Sequence, residues 1–315
     1  MPRLEPPGNH GTEPDFSICV ATHNRSGALA GLFANLATQA GASFELVIVN
    51  DGSTDQTAAT LDMLAGDAPF PVAIVNAING GRGSALNHAF DRARGRFIFI
   101  LDDDDFIAPG ALADILSTWT AIPADKRAAF CGVCGLCSTA AGAIVGQQFP
   151  ASPIDADFFS MRIVRGVRGD KREVVLRSAI GDFRFPSFPG EKRVSTNLLW
   201  FDLAARYQTR FVNRTWVIKD YRPDGITANG LKHRVTSANL TRLYYEKTLS
   251  LFPDMPLTTR LRFIVNYLRF AKHANEPLAT SLGRVNDRLI TLLSAPVARA
   301  IAWNDRRLLA RRTAA

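Results

Sequence analysis

Residues 97–105 read Phe-Ile-Phe-Ile-Leu-Asp-Asp-Asp-Asp, an apolar run that ends in four consecutive carboxylates. A short stretch of β-branched and aromatic residues halted by charged turn-formers predicts a buried strand, and the aspartates then stand at its carboxyl end. The same grammar recurs upstream. Phe16-Ser17-Ile18-Cys19-Val20-Ala21 stops at Thr22-His23-Asn24-Arg25, and Phe44-Glu45-Leu46-Val47-Ile48-Val49 stops at Asn50-Asp51-Gly52-Ser53-Thr54-Asp55. Between them Leu29, Leu32, Phe33, Leu36 and Ala37 recur with helical spacing, an amphipathic stripe suited to docking on a sheet. Further helices are expected over 56–64 and 84–93, with a strand over 72–75. Strands separated by helices predict an α/β fold, a doubly wound and mostly parallel sheet flanked by helices.

In such sheets ligands bind beyond the carboxyl ends of the strands, and there the three polar loops converge. Four adjacent carboxylates repel one another, so the economical partner is a divalent cation, Mg²⁺ or Mn²⁺, which prefers one or two carboxylates plus phosphate oxygens. Asn50 and Asp51 are candidates for hydrogen bonds to a nucleobase or ribose. The glycines of Asn79-Gly80-Gly81-Arg82-Gly83 let backbone approach a ligand, and Arg82 offers charge to a phosphate. Neither the G-x-G-x-x-G fingerprint nor a P-loop occurs in this segment. Taken singly, each loop is an ordinary turn signal.

Taken in order, Val20-Ala21-Thr22-His23-Asn24-Arg25, Val49-Asn50-Asp51-Gly52-Ser53-Thr54-Asp55, Asn79 to Asn87, Ala93-Arg94-Gly95 and Leu101 to Asp105 resemble the nucleotide-binding half of the family 2 glycosyltransferases with the GT-A fold. The likeness is strong over about 16–115 and weak beyond. It implies an inverting transfer of a sugar from a nucleoside diphosphate sugar, with a divalent metal bridging diphosphate and aspartates. Carried over, Thr22, Asn24 and Arg25 flank the nucleotide, with Asn79, Arg82 and Gly83 beside it, and Asn50 and Asp51 meet the base. Asp103 faces the ribose or donor sugar, and Asp104, helped by Asp102, holds the metal. Many relatives have Asp-Asp where this chain has Asn50-Asp51, which leaves uracil as the default base only, since an amide both donates and accepts.

A transferase of this kind needs a carboxylate to take the acceptor's proton. Glu191, after Phe188-Pro189-Gly190 and before a helix expected over 195–207, lies where relatives carry theirs; Asp182 and Asp224 are the alternatives. A helix-terminal carboxylate facing the macrodipole is the structural reading of Glu191. Trp200 and Trp216 suit the core better than a sugar platform. Residues 211–218 read as a strand feeding an irregular, lid-like loop at 221–227.

The 315 residues, 47% hydrophobic, suffice for a large core. A disordered leader is expected over 1–14, a catalytic domain over 15–230 and a helical extension over 231–315, with helices at 237–252, 257–274 and 278–309 broken by Pro253, Pro256 and Pro277. No apolar stretch reaches the roughly 18 residues a spanning helix needs, and no secretory pattern opens the chain, so a cytoplasmic location is expected. Cys131, Cys134 and Cys137 form C-x2-C-x2-C, here read as small buried hydrophobes rather than metal ligands. Residues 231–315 hold 15 Lys and Arg against 5 Asp and Glu, while the rest of the chain is nearly balanced. This basicity suggests contact with an anionic membrane surface. Helix 257–274 has Leu257, Leu261, Ile264, Leu268 and Ala271 on one face, Arg262, Asn266, Arg269 and His273 beside it, and Tyr267 and Phe270 at its edge, a pattern that suits either packing on the catalytic domain with a wet basic flank or a membrane interface. A lipid-linked or glycan acceptor would suit that position, and the resemblance points to bacterial cell-surface polysaccharide synthesis. Nucleic acid is not an expected partner, because no zinc-finger, RNP or helix-turn-helix pattern accompanies the charge. The rival readings are a sugar nucleotidyltransferase, which would release pyrophosphate, and a non-catalytic nucleotide-sugar-binding protein.

Overall fold

The computed structural model describes residues 13–219 and 230–313; the loop at 221–227, Asp224 and most of the expected leader lie outside them. The elements run β1 (Phe16–Thr22), α1 (Ser26–Ala37), β2 (Phe44–Asp51), α2 (Thr57–Gly66), β3 (Val72–Ala77), α3 (Arg82–Arg92), β4 (Phe97–Asp102), β5 (Asp105–Ile107), α4 (Ala111–Thr120), β6 (Phe130–Thr139), β7 (Ile154–Ala156), β8 (Lys171–Leu176), α5 (Arg177–Ile180), α6 (Asn197–Ala204) and β9 (Gln208–Lys219). Then come α7 (Gly230–Thr236), α8 (Ala238–Leu251), α9 (Leu257–His273), α10 (Leu278–Gly283) and α11 (Arg288–Thr313).

One sheet carries the order β3-β2-β1-β4-β8-β6-β9-β5, with β7 added on β9. The first four strands are mutually parallel, as the alternation of strands and helices requires. Beyond β4 the sheet becomes mixed: β8 runs antiparallel to β4 and β6, and β5 antiparallel to β9. The uninterrupted parallel character read from the sequence belongs to residues 16–102, with one further parallel pair, β6 and β9, beyond it.

Side chains alternate between two apolar layers along each central strand. On β4, Ile98 and Ile100 face one layer while Phe97, Phe99 and Leu101 face the other, where Leu29, Leu32, Leu36 and Trp119 cover the sheet. The first layer is completed by α3, α6 and the C-terminal helices, so Leu240, Ile264, Tyr267 and Ala298 share a core with Val47 and Ile100. The cysteine triplet lies on β6, where Cys134 joins the first layer and Cys137 the second; these side chains are buried free thiols that do not converge.

The C-terminal helices depart from expectation in two respects. The segment 278–309 is broken into α10 and α11, while Pro296 is accommodated inside α11. On α9 the inward face is Phe263, Ile264, Tyr267, Leu268, Phe270 and Ala271, so Tyr267 and Phe270 are fully buried rather than at an edge, and Leu257 and Leu261 are exposed. The basic flank of α9 is partly consumed internally: Asp305 of α11 accepts from Arg269 Nε and Nη2 at 2.6 and 2.7 Å and lies 2.9 Å from His273 Nε2. Among the described residues no helix is long and apolar enough to cross a membrane.

Candidate active site

The tips of β1, β2 and β3 are tied to each other by side-chain hydrogen bonds. Asp51 accepts from the backbone N–H groups of Gly80 and Gly81 at 2.8 and 2.9 Å, joining the end of β2 to the start of α3. Asn24, in the left-handed region at φ 53°, accepts the Thr54 N–H on Oδ1, and its own N–H donates to Ser53 Oγ. His23 Nδ1 sits 2.9 Å from the Asp51 carbonyl and 3.0 Å from Asn79 Nδ2, while the buried Asn79 Oδ1 has no partner among the described residues. Asn50 is buried and internally satisfied, donating to Asn76 and accepting from Ser53. Thus Thr22, Asn24, Arg25, Asn50, Asp51, Asn79 and Arg82 do come together, and Asn50 does so as a strut of the β2 tip.

The glycines of the third loop serve packing. Gly81 has φ +83°, and a Cβ there would lie 2.0 Å from the Lys192 carbonyl oxygen; at Gly83 it would meet Val194 Cγ1 at 2.3 Å. Both bring segment 185–194 down onto the start of α3, a role sequence reading had assigned to ligand approach. Ala93-Arg94-Gly95 is likewise structural: Arg94 holds buried Glu45, and Gly95 abuts the backbone of Ser17.

The aspartate quartet divides by direction. Asp105 points inward, 2% exposed, against Arg172 Nη2 at 3.0 Å and Lys219 Nζ at 2.7 Å. Asp102 faces Arg82 at 2.6 Å and Lys219 at 3.1 Å. Asp103 accepts from Thr22 Oγ1 at 2.7 Å, and Asp104 meets Arg25 Nη2 at 3.2 Å. The electrostatics follow. Burial would raise the Asp102 pKa, but the charges of Arg82, Arg172 and Lys219 hold it well below the ordinary carboxylate range. At Asp105 burial prevails, and with Asp102 beside it the carboxyl is pushed up to about 6. Burial also raises Asp103, against the Thr22 hydrogen bond and Arg25. Lys219 and Arg172 escaped sequence reading because only strand pairing finds them: Lys219 ends β9 directly opposite Asp105, and β8 lies beside β4.

The residues expected to hold a divalent cation fit one. Arg25 meets Asp104 on Oδ2, the Oδ1 of Asp104 has no partner among the described residues, and the half-exposed Arg25 and Arg82 that touch Asp104 and Asp102 are long side chains able to swing away. Among the described residues no three His, Cys, Asp or Glu side chains form a cage, which suits a cation that takes its remaining ligands from water and phosphate.

Glu191 lies beside this crevice, next to the Lys192 carbonyl that contacts Gly81. Its Oε1 accepts from Asn239 N and Nδ2 at 2.9 and 2.8 Å, and Oε2 from Leu240 N at 2.8 Å. It thereby caps α8, not the shorter helix α6 that follows it in sequence. Asp182 is exposed, two residues before Arg184, which pairs with Asp91 at the far end of α3, about 14 Å along that helix from Arg82. Trp200 and Trp216 are buried in the core.

Residues 17–141 match the family model described as Glycosyl transferase family 2. The poly(ribitol-phosphate) beta-N-acetylglucosaminyltransferase TarS of Staphylococcus aureus is 34% identical over 101 residues, 31% of this chain and 18% of that protein. The succinoglycan biosynthesis protein ExoO of Rhizobium meliloti is 35% identical over 101 residues, 31% of this chain and 28% of that protein. The matched segment therefore spans less than a third of either relative. Among solved structures, S. aureus TarS 1-349 in complex with UDP-GlcNAc superposes with TM-score 0.60 at 19% identity, covering 93% of this chain and 89% of that one. The mannosyltransferase PcManGT from Pyrobaculum calidifontis, in complex with GDP-Man and Mn²⁺, gives TM-score 0.55 at 18% identity, covering 94% and 83%. The strand-tip motifs thus lie in the segment that matches this family model, and the likeness in fold to the solved glycosyltransferases extends through the helical C-terminal region.

Proposed function

We propose that this protein is an inverting glycosyltransferase that moves a sugar from a nucleoside diphosphate sugar to a hydroxyl of a glycan or lipid-linked acceptor, in cell-surface polysaccharide synthesis. The observation that carries the reading is the meeting of Thr22, Arg25, Asp51, Arg82 and the outward aspartates Asp102 to Asp104 at neighbouring strand tips, tied by Thr22–Asp103, Arg25–Asp104, Arg82–Asp102 and Asp51–Gly80/Gly81 contacts. Asp104, helped by Asp102, would hold Mn²⁺ or Mg²⁺, which supplies Lewis-acid neutralisation of the departing diphosphate. Arg25 and Arg82 are long enough to turn from the aspartates to diphosphate oxygens. Asn79 Oδ1, buried without a partner among the described residues, offers an acceptor to the base or ribose. In the transfer, the acceptor oxygen bonds to the anomeric carbon as the bond to the diphosphate oxygen breaks, and the acceptor proton passes to a carboxylate.

For that carboxylate we propose Glu191. Its three donors fix the carboxylate's orientation, and Oε2, which accepts a single N–H, retains a lone pair for the acceptor hydroxyl. The bound donors of the structural neighbours, UDP-GlcNAc and GDP-Man, support a nucleotide-sugar donor and make uracil and guanine the first two bases to try. Thermal unfolding with UDP, GDP, CDP and dTDP, each with and without Mn²⁺, tests this. One nucleotide at 100 times its Kd should stabilise by about 2.7 kcal/mol, and only with the metal. The matching sugar nucleotide should then release nucleoside diphosphate, whereas release of pyrophosphate would indicate nucleotidyl transfer. No stabilisation by any of the four would overturn the reading.

A further inference from the structure

We infer that the outer face of α11 docks on an anionic phospholipid bilayer, an inference that goes beyond sugar transfer and does not rest on it. A surface helix ordinarily turns its apolar stripe to the core and its polar face to water. Helix α11 does otherwise. Apart from the half-buried Ile290, its inward positions are small or polar, among them Thr291, Ala295, Ala298, Ala302 and Asp305, all buried. Its outward positions carry the large apolar side chains: Leu289 is 70% exposed, Leu293 70%, Val297 53% and Trp303 59%, with Leu292 beside them at 49%. Leu289, Leu292, Leu293 and Val297 recur at three- and four-residue spacing, and Trp303, nearly four turns beyond Leu289, returns to the same face, so the row spans about 21 Å. Scattered exposed leucines need no explanation, but a contiguous row does.

Charge identifies the occupant. Arg288, Arg299 and Arg306 fall along one edge of the stripe, Arg307 stacks on Trp303 with its guanidinium carbon 4.5 Å from the ring centroid, and Arg311 follows one turn later. The acids of this region are held by other partners. Asp305 is committed to Arg269 and His273, and Asp287, at the start of the helix, to Arg260. The outward face is therefore apolar and positive with no exposed carboxylate of α11 among it, the composition of a helix lying in the headgroup region of an acidic bilayer. A second copy of the chain on the same face would bring the arginine row against itself, because a twofold contact pairs identical patches. Of the two readings of α9, membrane helix or helix packed on the catalytic domain, its buried aromatic residues favour the second, and the exposed apolar row belongs to α11.

The test uses the intact chain and vesicles of phosphatidylcholine alone or with 30 mol% phosphatidylglycerol. Binding should be at least tenfold stronger to the acidic vesicles and should weaken steeply with salt, since each arginine near the surface contributes about fivefold. Trp303 is a built-in reporter, because Trp119, Trp200 and Trp216 are buried: brominated lipid should quench tryptophan emission in the wild type, and Trp303→Phe should abolish the quenching. Leu289→Gln with Leu293→Gln, both at exposed sites that leave the fold intact, should lower the partition coefficient at least tenfold. Equal binding to neutral and acidic vesicles, or binding unchanged in the double variant, would overturn the inference. So would a concentration-dependent dimer that the double variant abolishes, without vesicle binding, since the stripe would then belong to a second copy.

Discussion

Replacing Lys219 with Met removes the cation that bridges the inward and outward halves of the aspartate quartet. Lys219 Nζ lies 3.1 Å from Asp102 and 2.7 Å from Asp105, with its side chain 13% exposed. At an effective dielectric constant near 20, each contact carries a gross attraction of about 5 to 6 kcal/mol. Most of that is offset by the hydration the ammonium gives up on burial, and cutting one partner from a buried pair generally costs about 3–5 kcal/mol. Arg82 and Arg172 remain on the two carboxylates, which places the expected loss at the lower end, about 3 kcal/mol, a large share of a typical stability of about 5–15 kcal/mol. Urea unfolding at constant m-value measures it. The pH dependence gives an independent check. Burial, with the charge of Asp102, already pushes Asp105 up to about 6, so between about 4 and 6 the native protein binds a proton that the unfolded chain does not, and acidification there favours the folded form. Without Lys219 this carboxyl rises further and the window widens upward. The variant's deficit should be full near pH 7.5 and shrink toward pH 5. A deficit under 1 kcal/mol at pH 7.5, or one that is the same at both pH values, would refute the bridging role.

Glu191→Gln keeps an oxygen acceptor toward the N-terminus of α8, so unfolding should shift by no more than about 1–2 kcal/mol while transfer falls by about 10²–10⁴ with donor affinity retained; turnover within threefold of wild type would remove Glu191 as the base. Gly81→Ala places a Cβ against the Lys192 carbonyl at a left-handed φ of 83°. The backbone strain alone costs about 1–2 kcal/mol, so the melting temperature and nucleotide affinity should fall together, and a neutral effect on both would show that segment 185–194 is not seated on this loop. Asp305→Asn leaves Arg269 and the buried His273 without their carboxylate and should cost about 3 kcal/mol at neutral pH. Burial would raise Asp305, but hydrogen bonds from Arg269 and His273 lower it, so its contribution is complete above about pH 4 and is lost as pH falls through the depressed value. Wild type and variant should therefore converge in chemical denaturation only below about pH 4.

The parallel half of the sheet was legible because its strands are nearly continuous apolar runs ending in turn-formers, and β1, β2 and β4 begin at the residues expected, Phe16, Phe44 and Phe97. Of the mixed half only β9 was legible, the strand expected over 211–218 lying within Gln208–Lys219. β6 reads Phe-Cys-Gly-Val-Cys-Gly-Leu-Cys, and neither its two glycines, which make room for the β8 backbone and the Trp216 ring, nor the antiparallel course of β8 leaves a periodic signal. The site divides in the same way. Loop convergence followed from topology alone, whereas the partners of each carboxylate depend on pairings distant in sequence, such as Arg172 and Lys219 with Asp105. Glu191 illustrates the limit: sequence proximity tied it to the next helix, and the fold gave it to α8, 48 residues away.

The quartet's own charge balance bears on what the crevice accepts. The four carboxylates of Asp102, Asp103, Asp104 and Asp105 are met by four cations: Arg25 on Asp103 and Asp104, Arg82 on Asp102, Arg172 on Asp105, and Lys219 on Asp102 and Asp105. Two of those cations, Arg172 and Lys219, are fixed in the interior, and the other two reach in from half-exposed positions on the strand-tip loops. A diphosphate entering alone would add negative charge to a set already balanced, at short range and in a partly desolvated cleft where that imbalance is costly. Arriving with a divalent cation held by Asp104 and Asp102, it would add almost none, and Arg25 and Arg82 would be free to turn from those carboxylates to phosphate oxygens. Asp105 and its inward cations need not move, and so hold the turn that presents Asp103 and Asp104 in one geometry, the preorganisation that electrostatic catalysis requires.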